Sequence, residues 1–267
     1  MELDVKFAGR VGRLPEYIFG KLNAIKLARR RDGHDIIDLG MGNPNDPTPQ
    51  PIIAKLVEAV QDPRNHRYSV SADGIFSLKR ELARFYECEY GVALDPEREV
   101  VCTIGSKEGL SHLALALMEG GDTAIVPTPA YPPHLHSIAL AGGSVITVPI
   151  SAEPKFFDRL DALVPTLDPK PKLLVLNFPH NPTALTVELP FFERAVEFAR
   201  RHGILIIHDF AYSHITFDGY RAPSFLQAPG AKEVGVEFSS MSKSFNMAGW
   251  RVGFCAGHPK VVGGLAR

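Results

Sequence analysis

The sequence predicts an α/β protein built on a mainly parallel sheet of seven strands with helices on both faces. From residue 99 onward, short apolar runs alternate with longer helical or loop stretches, which is the rhythm of strand-helix-strand units. The runs are continuously apolar, a pattern typical of strands covered on both faces. The stretches between them are long enough to carry the crossovers that parallel strands need.

The N-terminal part of the chain predicts helices and one irregular loop. Residues 15–31 carry apolar side chains at near-helical spacing, and Gly33 ends that pattern. The segment 38–51 is too rich in Gly, Pro and Asn for regular structure, and helices resume at about 51–60 and 74–91. The apolar positions of the first helix are Tyr17, Ile18, Leu22, Ile25 and Leu27.

Seven apolar runs follow one another as predicted strands. In order they read EVVCTI, TAIVP, SVITVPI, KLLVLNF, ILIIHD, VGVEFSS and WRVGFCAG. The last run comes only a few residues after its predecessor, so it either returns antiparallel or crosses over tightly. The sequence ends at HPKVVGGLAR, where another apolar helical pattern begins, and we expect a further C-terminal part to be missing.

Composition excludes several classes of function. Lysine plus arginine (29) nearly cancels aspartate plus glutamate (30), so no strong field favours nucleic acid or an anionic membrane as partner. Cys88, Cys102 and Cys255 show no paired spacing, which argues against disulfides and a zinc site and favours a reducing compartment. We found neither an apolar run of roughly 18 residues nor a signal core, so we expect a cytoplasmic protein.

Candidate ligand groups are sought just after the strands, because open α/β sheets bind ligands at the carboxyl ends of their strands. After EVVCTI, Gly105 gives a tight turn and Ser106 can cap a helix whose free N–H groups suit phosphate. A capping serine alone is equally compatible with an ordinary helix start. After ILIIH, Asp209 is either an N-cap or the partner of a positively charged ligand atom.

Two further strand ends carry polar or aromatic groups with two readings each. Asn181, in PHNPTA, lies in a proline-fixed turn and either forms the turn or directs its amide at a ligand oxygen. Tyr131, between prolines in TPAYPPH, either packs in the ordinary way or stacks on a flat ligand.

The stretch SSMSKSFNMAGWRVGF decides between these readings. Lys243 lies beside Ser240 and Ser242, and Arg251 follows inside an apolar run where an unpaired guanidinium would be costly. A phosphate would satisfy that guanidinium together with the serine hydroxyls. A phosphate site, a lysine able to form a Schiff base, an aspartate for a ring cation and an amide for a ring oxygen together match pyridoxal 5'-phosphate (PLP).

These motifs resemble the PLP-dependent aminotransferases of classes I and II, which have fold type I. The stretch SMSKSFNMAGWRVG is similar to the lysine signature of that family across its whole length. The motifs GSKEG, PTPAYPPH, HNPT and DFAY appear in the family's order and approximate spacing. The resemblance covers the chain from near residue 13 to its end.

The resemblance implies a role for each matching residue. Lys243 would be the Schiff-base lysine, Asp209 would pair with the pyridine nitrogen, and Tyr131 would stack on the ring. Asn181 and Tyr212 would bond the ring hydroxyl oxygen.

The remaining roles concern the phosphate and the substrate. Ser106, Lys107, Ser240 and Arg251 would hold the phosphate, the first two largely through backbone N–H groups, and Tyr68 would reach it from the neighbouring subunit of a homodimer. Gly42 would line the substrate carboxylate site beside Asn181.

The resemblance also implies domains and a substrate class. We expect residues 1–50 to form an N-terminal segment that belongs to the small domain and dimer contact, and residues 51–267 to form the large PLP-binding domain. GMGNPNDPTP, TIGSKEGL and SKSFNMAGWR look most similar to bacterial alanine (glutamate-pyruvate) aminotransferases. The implied reaction moves an amino group between an L-amino acid, alanine or glutamate, and a 2-oxo acid.

Two departures and several alternatives accompany this hypothesis. Ala184 stands where the family's NPTG has glycine, and the family's C-terminal domain, with its carboxylate-binding arginine, is expected to be absent. The alternatives are an LL-diaminopimelate or aspartate-type aminotransferase, a PLP lyase or decarboxylase, and a truncated PLP-binding fragment or partner subunit with little turnover. A regulator or a nucleotide-binding dehydrogenase fits less well, because no basic helix-turn-helix precedes the strands and GMGNPN lacks the third glycine.

Overall fold

One mixed sheet of seven strands organises the chain in the computed structural model, which describes residues 3–14, 18–40, 42–69 and 71–267. The order across the sheet is β1-β7-β6-β5-β4-β2-β3. The strands are β1 (Val100–Thr103), β2 (Thr123–Thr128), β3 (Ser144–Pro149), β4 (Leu173–Asn177), β5 (Leu205–Asp209), β6 (Gly235–Ser240) and β7 (Gly253–Gly257).

All seven predicted strands are confirmed, and their directions place the strand ends that matter at one edge. The pairs β2–β3, β2–β4, β4–β5 and β5–β6 are parallel, whereas β7 is antiparallel to both β6 and β1. The last run therefore returns antiparallel. Because only β7 is reversed, its first residue, Gly253, lies beside the last residues of its neighbours, Ser240 and Thr103.

Besides four short 3-10 helices, eleven α-helices are present in the described residues. They are α1 (Gly9–Gly12), α2 (Ile18–Arg31), α3 (Gln50–Val60), α4 (Phe76–Tyr90), α5 (Ser106–Leu117), α6 (Pro132–Leu140), α7 (Lys155–Leu163), α8 (Leu189–His202), α9 (Ala231–Val234), α10 (Met241–Ser244) and α11 (Pro259–Leu265). The predicted helices at 15–31, 51–60 and 74–91 correspond to α2, α3 and α4, although Tyr17 lies outside the described residues. None of the described helices is long and apolar enough to span a bilayer.

The core has one layer on each face of the sheet. Strand residues such as Leu174 and Ile206 point to one face, where they pack with aromatic side chains of α4, α7 and α8. Val175 and Ile207 point to the other face, under α5, α6 and α11. The near-continuous apolar strands are therefore explained by burial on both sides.

The N-terminal helices do not belong to this core. Neither α2 nor α3 has a buried residue, and Ile18, Ile25 and Val60 are all more than half exposed. The apolar periodicity therefore predicts α2 correctly, but the apolar side chains of this helix bury little surface within the single chain.

Helix α5 approaches the sheet closely at Gly109. A Cβ atom at that position would lie 2.6 Å from Phe238 Cε1 and 2.8 Å from Thr103 Cγ2, both of which come from strands. The close approach fixes the height at which the first turn of α5 meets the edge of the sheet.

We predict that Gly109→Ala lowers the free energy of unfolding by about 1–3 kcal/mol, because overpacking at a helix-sheet contact forces neighbouring side chains to shift. Gly120→Ala is the matched control, since no atom lies within 4 Å of a Cβ built there. Urea unfolding of both variants measures the difference. Equal stability of the two variants would contradict the proposed contact.

Candidate active site

Nine of the predicted site residues line one cavity of about 250 Å³ at the edge of the sheet where the parallel strands end. Asn177, Ser242, Ala211 and Ala248 also contribute to its wall. The nine are Ser106, Lys107, Tyr131, Asn181, Asp209, Tyr212, Ser240, Lys243 and Arg251. Residues from five strand ends thus converge, as the topology requires.

Asp209 ends β5 as a buried carboxylate with two partners on its own side chain. Its Oδ2 lies 2.9 Å from Nε2 of the buried His134, and its Oδ1 accepts from the Ala211 N–H at 3.2 Å. No helix begins at Asp209, so the N-cap reading is wrong. His134 holds one oxygen of the carboxylate in place, an arrangement that the sequence analysis did not identify.

Asn177 links two residues of the cavity. Its Nδ2 donates to the Asp209 carbonyl oxygen at 2.7 Å, and its Oδ1 accepts from the Asn181 N–H at 2.9 Å. The Asn181 side chain in turn donates to the Tyr212 hydroxyl at 3.3 Å. Burial raises the pKa of Tyr212, with a further contribution from the negative charge of Asp209 and an opposing one from the Asn181 bond.

Lys243 projects from the short helix α10, which Ser240 caps by accepting from the Ser242 N–H. Its Nζ donates to the carbonyl oxygen of Gly42 at 2.9 Å and lies 5.9 Å from the centre of the Tyr212 ring. Burial lowers the pKa of the Lys243 amine, which makes the neutral, nucleophilic form easier to reach. The structure therefore brings the predicted lysine and the predicted Gly42 together.

The start of α5 and Arg251 form the end of the cavity that suits an anion. A Cβ at Gly105 would lie 2.1 Å from Arg251 Nη2, so a side chain there would displace the guanidinium, and the backbone φ of 78° also favours glycine. Arg251 has a left-handed backbone with φ 56°. Its Nη1 donates to the Ala248 carbonyl and its Nη2 to the Ile104 carbonyl.

Two predictions about this end were wrong. Ser106 does not cap α5, since the N-cap is Gly105 and Ser106 is the first residue of the helix. Arg251 was predicted to lie in an apolar run and to need an anion there. In the structure it is exposed and bonded to backbone carbonyls instead. Strand β7 itself begins two residues later, at Gly253.

Three further residues singled out in the sequence have distinct environments in the structure. Tyr68 is fully exposed and does not line the cavity. Tyr131 lines the cavity, and its ring is edge-on to His134, at 5.5 Å between ring centres. Ala184 adopts the left-handed conformation with φ 58°, which glycine adopts more easily, and it lies outside the cavity wall.

Residues 34–267 match the family described as aminotransferase class I and II. The chain belongs to this family. It is 49% identical over 258 residues to the glutamate-pyruvate aminotransferase AlaC of Escherichia coli, covering 97% of this chain and 62% of that protein. It is 46% identical to an LL-diaminopimelate aminotransferase of Moorella thermoacetica, covering 97% of this chain and 66% of that protein.

Solved structures agree with this family assignment. The substrate-bound structure of BacF from Bacillus subtilis superposes with a TM-score of 0.90 at 38% identity, covering 100% of this chain and 66% of that one. An aspartate aminotransferase from Thermotoga maritima has a TM-score of 0.87 at 28% identity, covering 97% and 68%. The predicted α/β fold of fold type I is confirmed. The chain spans less than two thirds of the length of both curated relatives.

Aminotransferases of this family depend on PLP, and the cavity fits that cofactor. One end offers helix N–H groups and a guanidinium, which suit a phosphate. The other end offers the Asp209 carboxylate, which is held by His134. Between the two ends lie the amide of Asn181, the phenol of Tyr212 and the amine of Lys243. The fit rests on this donor set.

His180 is a buried neutral imidazole near the cavity. Its Nδ1 lies 2.8 Å from the Thr183 hydroxyl and accepts from the Thr183 N–H at 3.3 Å. Burial, reinforced by the nearby His134, lowers the pKa of His180 from 6.5 to about 4. Protonation of Nδ1 would break the bond from the Thr183 N–H, whereas the hydroxyl could still accept from the new N–H.

We predict that His180 makes the cofactor-free chain acid-sensitive. The unfolded chain takes up this proton near pH 6.5 and the folded chain only near pH 4, so stability present above pH 6.5 is lost as the pH falls through that window. Between pH 7 and 4.5 the expected loss from this group is about 2 kcal/mol. Urea unfolding at both pH values should show a smaller loss for His180→Asn than for the wild type, and an equal loss would contradict the prediction.

Proposed function

We propose that the protein to which this chain belongs is a PLP-dependent aminotransferase that moves an amino group between an L-amino acid and a 2-oxo acid. The observation that carries the proposal is the meeting of Lys243, Asp209 and Asn181 with the start of α5 in one cavity. Membership of the aminotransferase class I and II family supports the same reaction.

The bound cofactor supplies an electron sink for the bonds to the substrate's α-carbon and a carbonyl group that accepts amines. In our proposal, Asp209 faces the ring nitrogen and keeps it protonated, while His134 keeps the carboxylate oriented. Asn181 and Tyr212, already bonded to each other, donate to the ring oxygen. Tyr131 covers one ring face.

Lys243 has two proposed tasks. Its Nζ would hold the cofactor, and as a free amine it would move a proton to and from the substrate's α-carbon. The lowered pKa of this amine favours both tasks, because each needs the neutral form. The bond from Lys243 Nζ to the Gly42 carbonyl supports this proposal, because Gly42 is a proposed residue of the substrate carboxylate site.

The phosphate is assigned to the opposite end of the cavity. Backbone N–H groups of Ser106 and Lys107, the hydroxyl of Ser240 and the guanidinium of Arg251 are its proposed donors. The Arg251 guanidinium is bonded only to carbonyls among the contacts described above, so its remaining N–H groups are available to an anion.

We propose alanine and glutamate as amino donors, with pyruvate and 2-oxoglutarate as the matching 2-oxo acids. The support is 49% identity to glutamate-pyruvate aminotransferase AlaC. LL-diaminopimelate is the second candidate substrate, because an aminotransferase named for it is 46% identical to this chain. An aspartate-type reaction is supported more weakly, by the 28% identical structure from Thermotoga maritima.

We further propose a homodimer with a shared active site. Tyr68 is fully exposed in the single chain, and the apolar side chains of α2 and α3 face solvent, which suits a surface covered by a second copy. In this proposal residues 1–50 make the dimer and small-domain contacts, and residues 51–267 form the PLP-binding domain. The three cysteines are free, which supports our proposal of a cytoplasmic location.

We predict that the chain binds PLP with a visible absorption band that depends on Lys243. Lys243→Ala should abolish the band, whereas Lys260→Ala, which changes an exposed lysine elsewhere, should keep it. Absorbance titration with PLP measures both. A full wild-type band in Lys243→Ala would overturn the assignment of the lysine.

The same titration separates the candidate substrates. Alanine and glutamate are expected to bleach the wild-type band at lower concentrations than LL-diaminopimelate or aspartate. Release of the matching 2-oxo acid identifies transamination, and bleaching with no 2-oxo acid product would favour a lyase or decarboxylase.

We predict complementation between two inactive variants if the site is shared. Tyr68→Ala and Lys243→Ala should each weaken or abolish PLP binding alone. Mixed dimers contain one site with both native residues, so about a quarter of all sites should bind PLP normally after random exchange. Mixing after chemical cross-linking of the dimers is the control. No recovery after free exchange would contradict a site built from two chains.

A further inference from the structure

A second polar cluster lies on the face of the sheet opposite the candidate active site. Its centre is Glu237, a fully buried carboxylate on β6. Glu237 Oε1 accepts from the Tyr86 hydroxyl and the Ser224 hydroxyl, each at 2.7 Å. Glu237 Oε2 accepts from the Phe225 N–H at 2.7 Å and lies 2.7 Å from His208 Nδ1. We call these residues the Glu237 cluster.

The donors fix the proton positions in this cluster. Two hydroxyls and a backbone N–H donate to Glu237. The ionised carboxylate is the form that accepts from all three of them. Since the carboxylate then has no proton, the fourth contact requires that His208 carries a proton on Nδ1. Burial and the charge of Glu237 raise the pKa of Tyr86, so its hydroxyl stays a donor.

The other ring nitrogen of His208 reaches the backbone of Phe178. Nε2 lies 3.3 Å from the Phe178 N and 3.1 Å from the Phe178 carbonyl oxygen. In the neutral ring Nε2 accepts from the N–H, and in the protonated ring it donates to the carbonyl. The imidazole therefore bonds the backbone of Phe178 in either state.

Phe178 is the first residue of the turn that delivers Asn181 to the cavity. Asn177 bonds the far end of this turn by accepting from the Asn181 N–H. His208 bonds its near end, and both contacts come from neighbouring strands whose register pairs Leu176 with His208. The turn is thus held from both faces of the sheet.

We propose that His208, fixed in orientation by Glu237, is a positioning residue that sets the place of the Asn181 amide in the active site. The His208 side chain does not line the cavity, and its contact with the Phe178 backbone is what links it to Asn181. The proposal rests on the proposed function for the role of Asn181 as a donor to the ring oxygen.

Two substitutions separate the two bonds of the imidazole. The amide of Asn in His208→Asn can replace Nδ1 and keep the Glu237 bond, but it is too short to reach Phe178. The longer amide in His208→Gln can replace Nε2 at the Phe178 carbonyl while it loses the Glu237 bond. Tyr86→Phe is the control, because it removes one donor to Glu237 and leaves the turn untouched.

The first measurement is hydrogen exchange of the Phe178, His180 and Asn181 amides in the cofactor-free chain. His208→Asn should speed exchange at these amides roughly tenfold, because the turn loses a buried hydrogen bond. His208→Gln and Tyr86→Phe should lower the melting temperature but leave these amides near the wild-type rate. Equal acceleration in Tyr86→Phe would reduce His208 to a structural role and overturn the proposal.

The second measurement is the pH midpoint of the visible band of bound PLP. His208→Asn should raise this midpoint, because a displaced Asn181 stabilises the anionic ring oxygen less well. In an Asn181→Ala background the same substitution should cause no further shift. A shift of equal size in that background would show that His208 does not act through Asn181.

The outcomes separate this proposal from the proposed function. A wild-type chain without a PLP band would overturn the proposed function. Amide hydrogen exchange in the cofactor-free chain would still test whether His208 holds the turn at Phe178. If His208→Asn fails to fold, ¹⁵N spectra of labelled histidine in the wild type provide the test. They should show a protonated, hydrogen-bonded Nδ1 and a hydrogen-bonded Nε2, and a free Nε2 would overturn the proposal.

Discussion

The close approach of β7 to the first turn of α5 is the contact on which the candidate site depends. A Cβ at Gly253 would lie 2.7 Å from Gly105 C and Ser106 N, so the two backbones touch without a side chain between them. Because β7 alone is antiparallel, its start reaches the edge where the other strands end. The residue two positions earlier, Arg251, therefore lies over the N-terminus of α5 although 145 residues separate it from Ser106. Any side chain at Gly253 would push the cation and the helix end apart.

The sequence was sufficient for the strands because their burial leaves a direct trace in composition. Runs such as KLLVLNF and ILIIHD are apolar except near their ends, and each contains a strand within a residue or two of the expected bounds. The residues just after those strands met in one cavity because topology places all such ends together. The fold was thus predictable from the apolar runs of the strands. Most of the cavity wall was predictable because ligand sites in such sheets lie at the carboxyl ends of the strands.

What the sequence did not reveal depends on contacts between distant segments. His134 and Asp209 are 75 residues apart, and nothing local distinguishes that histidine from the neighbouring His136. The exposure of Arg251 was missed for a different reason, since the chain is buried only from Gly253 onward and Arg251 itself has a left-handed backbone. Ser106 illustrates an offset of a single position, because the helix begins at the serine itself and the glycine before it is the N-cap.

Two hydrogen bonds join the loop around residues 42–48 to the segment that carries Lys243. Lys243 Nζ donates to the Gly42 carbonyl, and the Thr48 hydroxyl donates to the Asn246 carbonyl at 2.8 Å. The two segments are therefore joined at two points, and the Lys243 amine forms one of them. Any shift of the loop near Gly42 would therefore also change the hydrogen-bond partner of the Lys243 amine.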